Sequence, residues 1–80
     1  MKVQILGAGC AKCKILEQHA REAVAELGIA AEVEKVTDIE TIMGMGVMMT
    51  PALAVNGTIK VSGKVPSIPE IKAILQQAAA

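Results

Sequence analysis

Two cysteines, Cys10 and Cys13, are the residues of this 80-residue chain whose type and spacing point most directly to chemistry. A Cys-x-x-Cys pair can cycle between dithiol and disulfide, or hold a soft metal as two thiolates. Residues three apart on a helix face one another at about 5–6 Å between Cβ atoms, and a small adjustment in a first turn brings two sulfurs to bonding geometry. The loop closed by such a bond is tiny and constrains the unfolded chain far less than a long-range disulfide would. Stability is therefore a poor reason for the pair. Two small buried hydrophobes that merely lie close are the bland alternative, since free cysteine is among the most buried residue types.

The elements that would hold the pair can be read from periodicity. Residues 2–6 form a short apolar stretch with β-branched Val3 and Ile5, closed by Gly7-Ala8-Gly9, and Val3 and Leu6 on opposite parity predict a strand buried on both faces. From Ala11 the period changes: Leu16, Ala20, Ala23, Val24 and Leu27 recur at helical spacing, with Glu17, Arg21, Glu22 and Glu26 opposite, and Gly28 ends the helix. The cysteines thus fall where the first strand hands over to the first helix. Residues 29–37 alternate like a half-covered edge strand. Asp38 caps a predicted short helix with Ile39, Ile42 and Met43 on one face, ended by Gly44 or Gly46.

Residues 52–55 and 58–61 flank Asn56-Gly57, the strongest short-range hairpin signal. A last helix begins near Ser67, with Pro69 in its first turn and a buried stripe of Ile68, Ile71, Ile74 and Leu75, and residues 78–80 are expected to fray. The order is βαβαββα in one domain spanning residues 1–80. It predicts an α/β fold: a four-stranded mixed sheet, the first strand central, with three helices on its faces. Functional sites often gather at such strand ends.

That placement gives the cysteines different expected roles. Unpaired amides and the positive end of the helix dipole stabilise a thiolate at Cys10, and Lys12 and Lys14 add positive charge. Cys10 is then the nucleophile that attacks a partner disulfide, and Cys13 resolves the mixed disulfide.

Thr50-Pro51 sharpens this reading, because a proline just before a strand inside a sheet cannot donate to the ladder. Together with Cys10-Ala11-Lys12-Cys13 and the βαβαββα order, it makes the chain resemble the thioredoxin-like superfamily, and more narrowly its redox-active-disulfide proteins of about 80 residues. The resemblance covers nearly the whole chain. It implies a thioredoxin-like fold, a cis Thr50-Pro51 bond beside the cysteines, and a Thr50 backbone that pairs with a bound substrate segment as an added strand. Met49, next to Thr50, is a further candidate for substrate contact. The resemblance also implies a protein thiol-disulfide oxidoreductase with no cofactor beyond its Cys10-Cys13 disulfide, acting on protein dithiols or disulfides and served by a separate reductant.

The chain departs from the larger thioredoxins in three places. Gly9 stands where they have Trp, Ala11-Lys12 replaces Gly-Pro, and Gln4 stands at the buried acid. Proton transfer to Cys13 therefore falls to water or Lys12. The glutaredoxin-type Gly-Gly-Asp run is reduced to Val61-Ser62-Gly63-Lys64, so a protein dithiol is a better expected partner than glutathione.

The rival reading is a Cu(I) carrier using the same two thiolates. Heavy-metal-associated domains also place Cys-x-x-Cys between a first strand and a first helix, but they run βαββαβ and carry Met where this chain has Ala8. Structural zinc wants four ligands, and only Cys10, Cys13 and the distant His19 are on offer. Met43, Met45, Met48 and Met49 are expected to fill core in a chain without aromatic residues. His19 is expected on the solvated side of the first helix, Gly7 and Gly9 as turn residues, and Gly63 as a close turn beside the active-site loop.

Composition removes other classes. Eight basic and eight acidic side chains cancel, with no basic cluster for nucleic acid. No apolar run approaches the ~20 residues that span a bilayer. The start lacks the apolar core of a secretory signal, and the expectation is a cytoplasmic monomer.

Overall fold

The computed structural model describes residues 1–7 and 11–79; the expectations for Ala8, Gly9, Cys10 and Ala80 lie outside them. Strand β1 (Lys2–Leu6) leads to helix α1 (Ala11–Leu27), strand β2 (Glu32–Val36), helix α2 (Ile39–Gly44), the hairpin of β3 (Ala52–Val55) and β4 (Thr58–Ser62), and helix α3 (Ile68–Ala79). The sheet order is β2-β1-β3-β4. β1 runs parallel to β2 with Ile5 opposite Lys35, and antiparallel to β3 with Leu6 opposite Ala52. The mixed sheet with a central first strand is the predicted architecture.

Central position explains the composition of β1 and β3. All four residues of β3 are buried, and in β1 Val3 and Leu6, on opposite faces, are both inaccessible. The edge strand β2 keeps charge towards solvent, where Glu34 pairs with Lys2 at 3.1 Å. Asn56 and Gly57 have φ of 52° and 84°, the two successive left-handed conformations of a type I′ turn, whose twist matches that of the strands. The Asn56 side-chain carbonyl also accepts from Lys2 N at 2.9 Å, so the turn clamps the start of β1.

Two cores flank the sheet. On one face α1 and α3 pack Leu16, Ala20, Ala23, Ile71 and Leu75 against Val3, Ile5, Leu53 and Val55. On the other, Ile42 of α2 and Val47 of the following loop cover Leu6, Val36, Ala52 and Ala54. α2 is capped at Asp38, as predicted, and α3 carries a cap at Ser67, near its expected start. The Asp38 carboxylate accepts from Thr41 N, and Ser67 and Glu70 form a capping box, each side chain accepting from the other's backbone amide. α3 continues through Ala79 where fraying was expected.

Three expectations about side chains are corrected. Only Ile42 of the α2 stripe is buried; Ile39 and Met43 face solvent, because a helix of six residues offers the sheet little more than one turn. The methionines do not fill the core as a group: Met43, Met48 and Met49 are exposed, and of the four Met45 alone packs against it. Buried alanines on α1 and β3 bring the layers close and leave less volume to fill. His19 is half-buried rather than solvated. Its Nδ1 lies 3.0 Å from the Pro66 carbonyl, which can only accept, so Nδ1 carries the proton and ties α1 to the entry of α3.

Candidate active site

α1 begins at Ala11, which places Cys13 in its first turn, where backbone amides have no acceptor inside the helix. That turn contains no acidic residue, and Lys12 and Lys14 are exposed on it. Cys13 is 7% exposed and disulfide-bonded. The chain's other cysteine, Cys10, lies outside the described residues.

Gly7 is the residue that lets Cys13 sit here. It follows β1, donates to the Val36 carbonyl at 3.0 Å, and a Cβ at this position would collide with Cys13 Sγ. The same Cβ would lie 3.8 Å from Pro51 Cα. Cys13, Gly7 and Pro51 therefore meet at one point, brought from the start of α1, the end of β1 and the approach to β3.

The Thr50–Pro51 peptide is cis. Pro51 is fully buried, whereas Thr50 is exposed beside it. Gly63, just past β4, donates to the Pro51 carbonyl at 2.9 Å. Its φ of 77° suits glycine, and the Met49 side chain occupies the space a Cβ would need, with Cβ, Cε and Sδ at 3.2, 3.3 and 3.4 Å from that position. Gly63 thus turns the chain against the proline loop, and Met49 lies across it as an exposed rim.

A cavity of about 60 Å³ adjoins Cys13, lined by Ile5, Gly7, Cys13, Lys14, Lys35 and Thr37. It has room for a water molecule. Lys12 and Gln4 are not among its walls; Gln4 instead donates to the Glu34 carboxylate across the parallel strands at 3.4 Å. Lys35 is the neighbour that sequence reasoning missed. Only the in-register pairing of β1 with β2 brings it opposite Ile5, and nothing in local sequence marks it. Its ammonium is held 3.5 Å from Glu17 Oε1, one helical turn beyond Cys13, while Arg21 binds Glu17 Oε2 at 2.8 Å. The Arg21 hydrogen bond, with the charges of Lys35 and Arg21 adding and partial burial opposing, keeps the Glu17 carboxyl below its ordinary pKa.

Among the described residues, no group of three or more His, Cys, Asp or Glu side chains is placed to hold a metal ion. Nor is any helix of the described residues long and apolar enough to cross a membrane.

Comparison with known proteins gives a consistent result. Residues 1–76 match the family model described as a thioredoxin domain. The chain is 53% identical over 75 residues to a thioredoxin of Methanothermobacter thermautotrophicus, covering 94% of this chain and 97% of that one. It is 44% identical over 70 residues to a thioredoxin of Methanocaldococcus jannaschii, covering 88% and 80%.

Proposed function

The chain belongs to the thioredoxin family and is a thiol-disulfide oxidoreductase, and from that premise we propose that it exchanges disulfides with partner proteins through Cys10 and Cys13. The observation that carries this reading is the place of Cys13: disulfide-bonded and almost wholly buried in the first turn of α1, against Gly7, which Pro51 also borders. A sulfur so enclosed is poorly placed to meet a protein partner and well placed to attack another sulfur of its own chain. Attack on the partner therefore falls to Cys10.

The Cys10 thiolate attacks one sulfur of the partner disulfide, forming a Cys10–partner bond and releasing the other partner sulfur as a thiolate. The Cys13 thiolate then attacks Cys10 Sγ, forming the Cys10–Cys13 disulfide and releasing the second partner thiolate. Two electrons have passed to the partner, and a separate dithiol reductant returns the protein to its starting state. The first amides of α1 and the positive charge of Lys12 favour both thiolates. The backbone of Thr50, an exposed residue joined by the cis bond to Pro51, receives the partner segment as a short added strand, with Met49 at its edge. No cofactor besides the disulfide takes part. The protein acts as a monomer in a reducing compartment, the cytoplasm.

Metal-free protein equilibrated in graded dithiothreitol redox buffers, alkylated and weighed, tests this directly. A single two-electron transition between roughly −180 and −300 mV is expected. Cys10→Ser should abolish exchange, and Cys13→Ser should accumulate mixed disulfides with partners. Thiols that stay reduced throughout that window but are protected by tight Cu(I) binding would overturn exchange in favour of metal carriage.

A further inference from the structure

The Cys13 sulfur must lose its proton before it can resolve a mixed disulfide, because the thiolate is the nucleophile. The groups around it decide how readily that happens. β1 and the residue after it bring Ile5 and Gly7 to the Cys13 cavity, and the chain just past β2 brings Thr37, none of them charged. Asp38, next along, turns its carboxylate to Thr41 N instead, and Pro51, beyond Gly7, is uncharged. The charged walls are Lys14 of α1 and Lys35 of β2, with Lys12 on the same helical turn as Cys13. Among the described residues, no carboxylate lines this cavity.

The two wall lysines differ in one respect. Among the described residues Lys14 takes part in no ion pair, whereas the Lys35 ammonium lies 3.5 Å from Glu17 Oε1. Glu17 belongs to α1, one turn beyond Cys13, so the pair spans helix and strand with one end in the cavity wall. Its charges do not cancel at the sulfur. Lys35 lines the cavity and Glu17 does not, and the Glu17 carboxylate is shared with Arg21, 2.8 Å from Oε2.

We propose that the Glu17–Lys35 pair sets how readily Cys13 ionises, Lys35 favouring the Cys13 thiolate across the cavity and Glu17 restraining that effect by holding and partly neutralising the ammonium. This rests on the exchange reading above, in which Cys13 resolves the mixed disulfide, and adds the groups that govern that second step. There the Cys13 thiol gives its proton to water and the thiolate bonds to Cys10 Sγ. The bond from Cys10 to the partner sulfur breaks, and its electron pair leaves with that sulfur as a thiolate. Glu17 acts only through Lys35 and is a positioning residue. The Lys35 side chain is 55% exposed, so solvent weakens its field and keeps the effect modest.

Ultraviolet absorbance follows the Cys13 thiolate in the reduced Cys10→Ser protein, and the chain has no Tyr to ionise in the same range. Glu17, its carboxyl held below the ordinary pKa, stays ionised throughout such a titration. In that background Lys35→Gln should raise the midpoint by about 0.5 pH unit and Glu17→Gln should lower it by about as much, the size expected for one partly solvated charge. Lys35→Arg keeps the charge and should titrate as Lys35 does. In proteins with both cysteines, the symmetrical disulfide of thionitrobenzoate releases one coloured thiolate when Cys10 attacks and a second when Cys13 resolves. At neutral pH the second release should be about twofold slower in Lys35→Gln and about twofold faster in Glu17→Gln. The change is smaller than that in thiolate fraction because a more acidic thiol is a weaker nucleophile.

Both substitutions break the same ion pair, so a merely structural contact between α1 and β2 would move the midpoint in one direction in both. Shifts of the same sign, an unmoved midpoint in Lys35→Gln, or shifts opposite to those expected would overturn the proposal. Circular dichroism checks each fold, and Lys35→Met carries the same expectation should Lys35→Gln not be native. Failure of the exchange reading looks different: native protein would release no second thionitrobenzoate.

Discussion

At Gly7 the absence of a side chain decides whether the site can close. A methyl group here would meet Cys13 Sγ, held in its disulfide, and Pro51 lies just beyond. Gly7 is not among the residues with positive φ, so replacing it with Ala would ordinarily stabilise the protein by restricting the unfolded chain. The sulfur reverses that sign. Gly7→Ala should destabilise the oxidised protein by about 1–3 kcal/mol, the usual cost of overpacking, in guanidinium unfolding. The loss should be smaller after reduction, because the Cys13 sulfur can then turn to another rotamer. An equal loss in both states would mean that the backbone, not the sulfur, is the obstacle. Gly63 presents a different case: its φ of 77° strains any other residue there, and the atom nearest an added Cβ is Met49 Cβ at 3.2 Å, which is fixed to the backbone.

Between elements, α1 must be held against β2 for Cys13 and Lys35 to share a cavity, and Glu17 provides a link. Its carboxylate receives Arg21 of its own helix and Lys35 of the strand. The folded pKa is lowered, chiefly by the Arg21 hydrogen bond, so the ionised form contributes stability that is complete above the unfolded value of about 4.3. That contribution is lost as pH falls through the lower folded value. Glu17→Gln should therefore cost up to about 1 kcal/mol at neutral pH and less as the solution is acidified. Urea unfolding at pH 7 and at pH 3 would check it, and an equal loss at both would show that packing rather than charge is responsible. The start of α3 and the type I′ hairpin depend on local sequence alone, which is why a helix beginning near Ser67 and a turn at Asn56-Gly57 could be assigned without the fold. Lys35 could not, because its role depends on the register of two strands separated by α1.

Across the fold, the division between core and surface sets which apolar residues matter for stability. A small domain is stable by only about 5–15 kcal/mol, and this one rests on an aliphatic core without aromatic residues. Leu16, inaccessible between α1 and the sheet, should cost about 2–5 kcal/mol when replaced by Ala. Met48→Ala should change stability by no more than about 0.5 kcal/mol, because its side chain already lies in water. Chemical denaturation at one redox state compares the two. A large loss at Met48 would restore the core role that sequence suggested for the methionines.

Apolar period, turn residues and spacing, all local properties, were enough to assign the order and type of the elements, the central β1, the hairpin, the Asp38 cap, the start of the last helix near Ser67 and the candidate chemistry at Cys-x-x-Cys. Packing settled what depends on neighbours distant along the chain. It brought Gly7, Cys13 and Pro51 to one point, put Lys35 rather than Lys12 in the wall of the Cys13 cavity, and tied His19 to Pro66. It also left Met43 and Met48 in solvent, since a six-residue α2 needs only Ile42 to cover its part of the sheet. Period can say that a residue is apolar and which way it tends to face, but whether anything lies opposite it depends on how the layers pack.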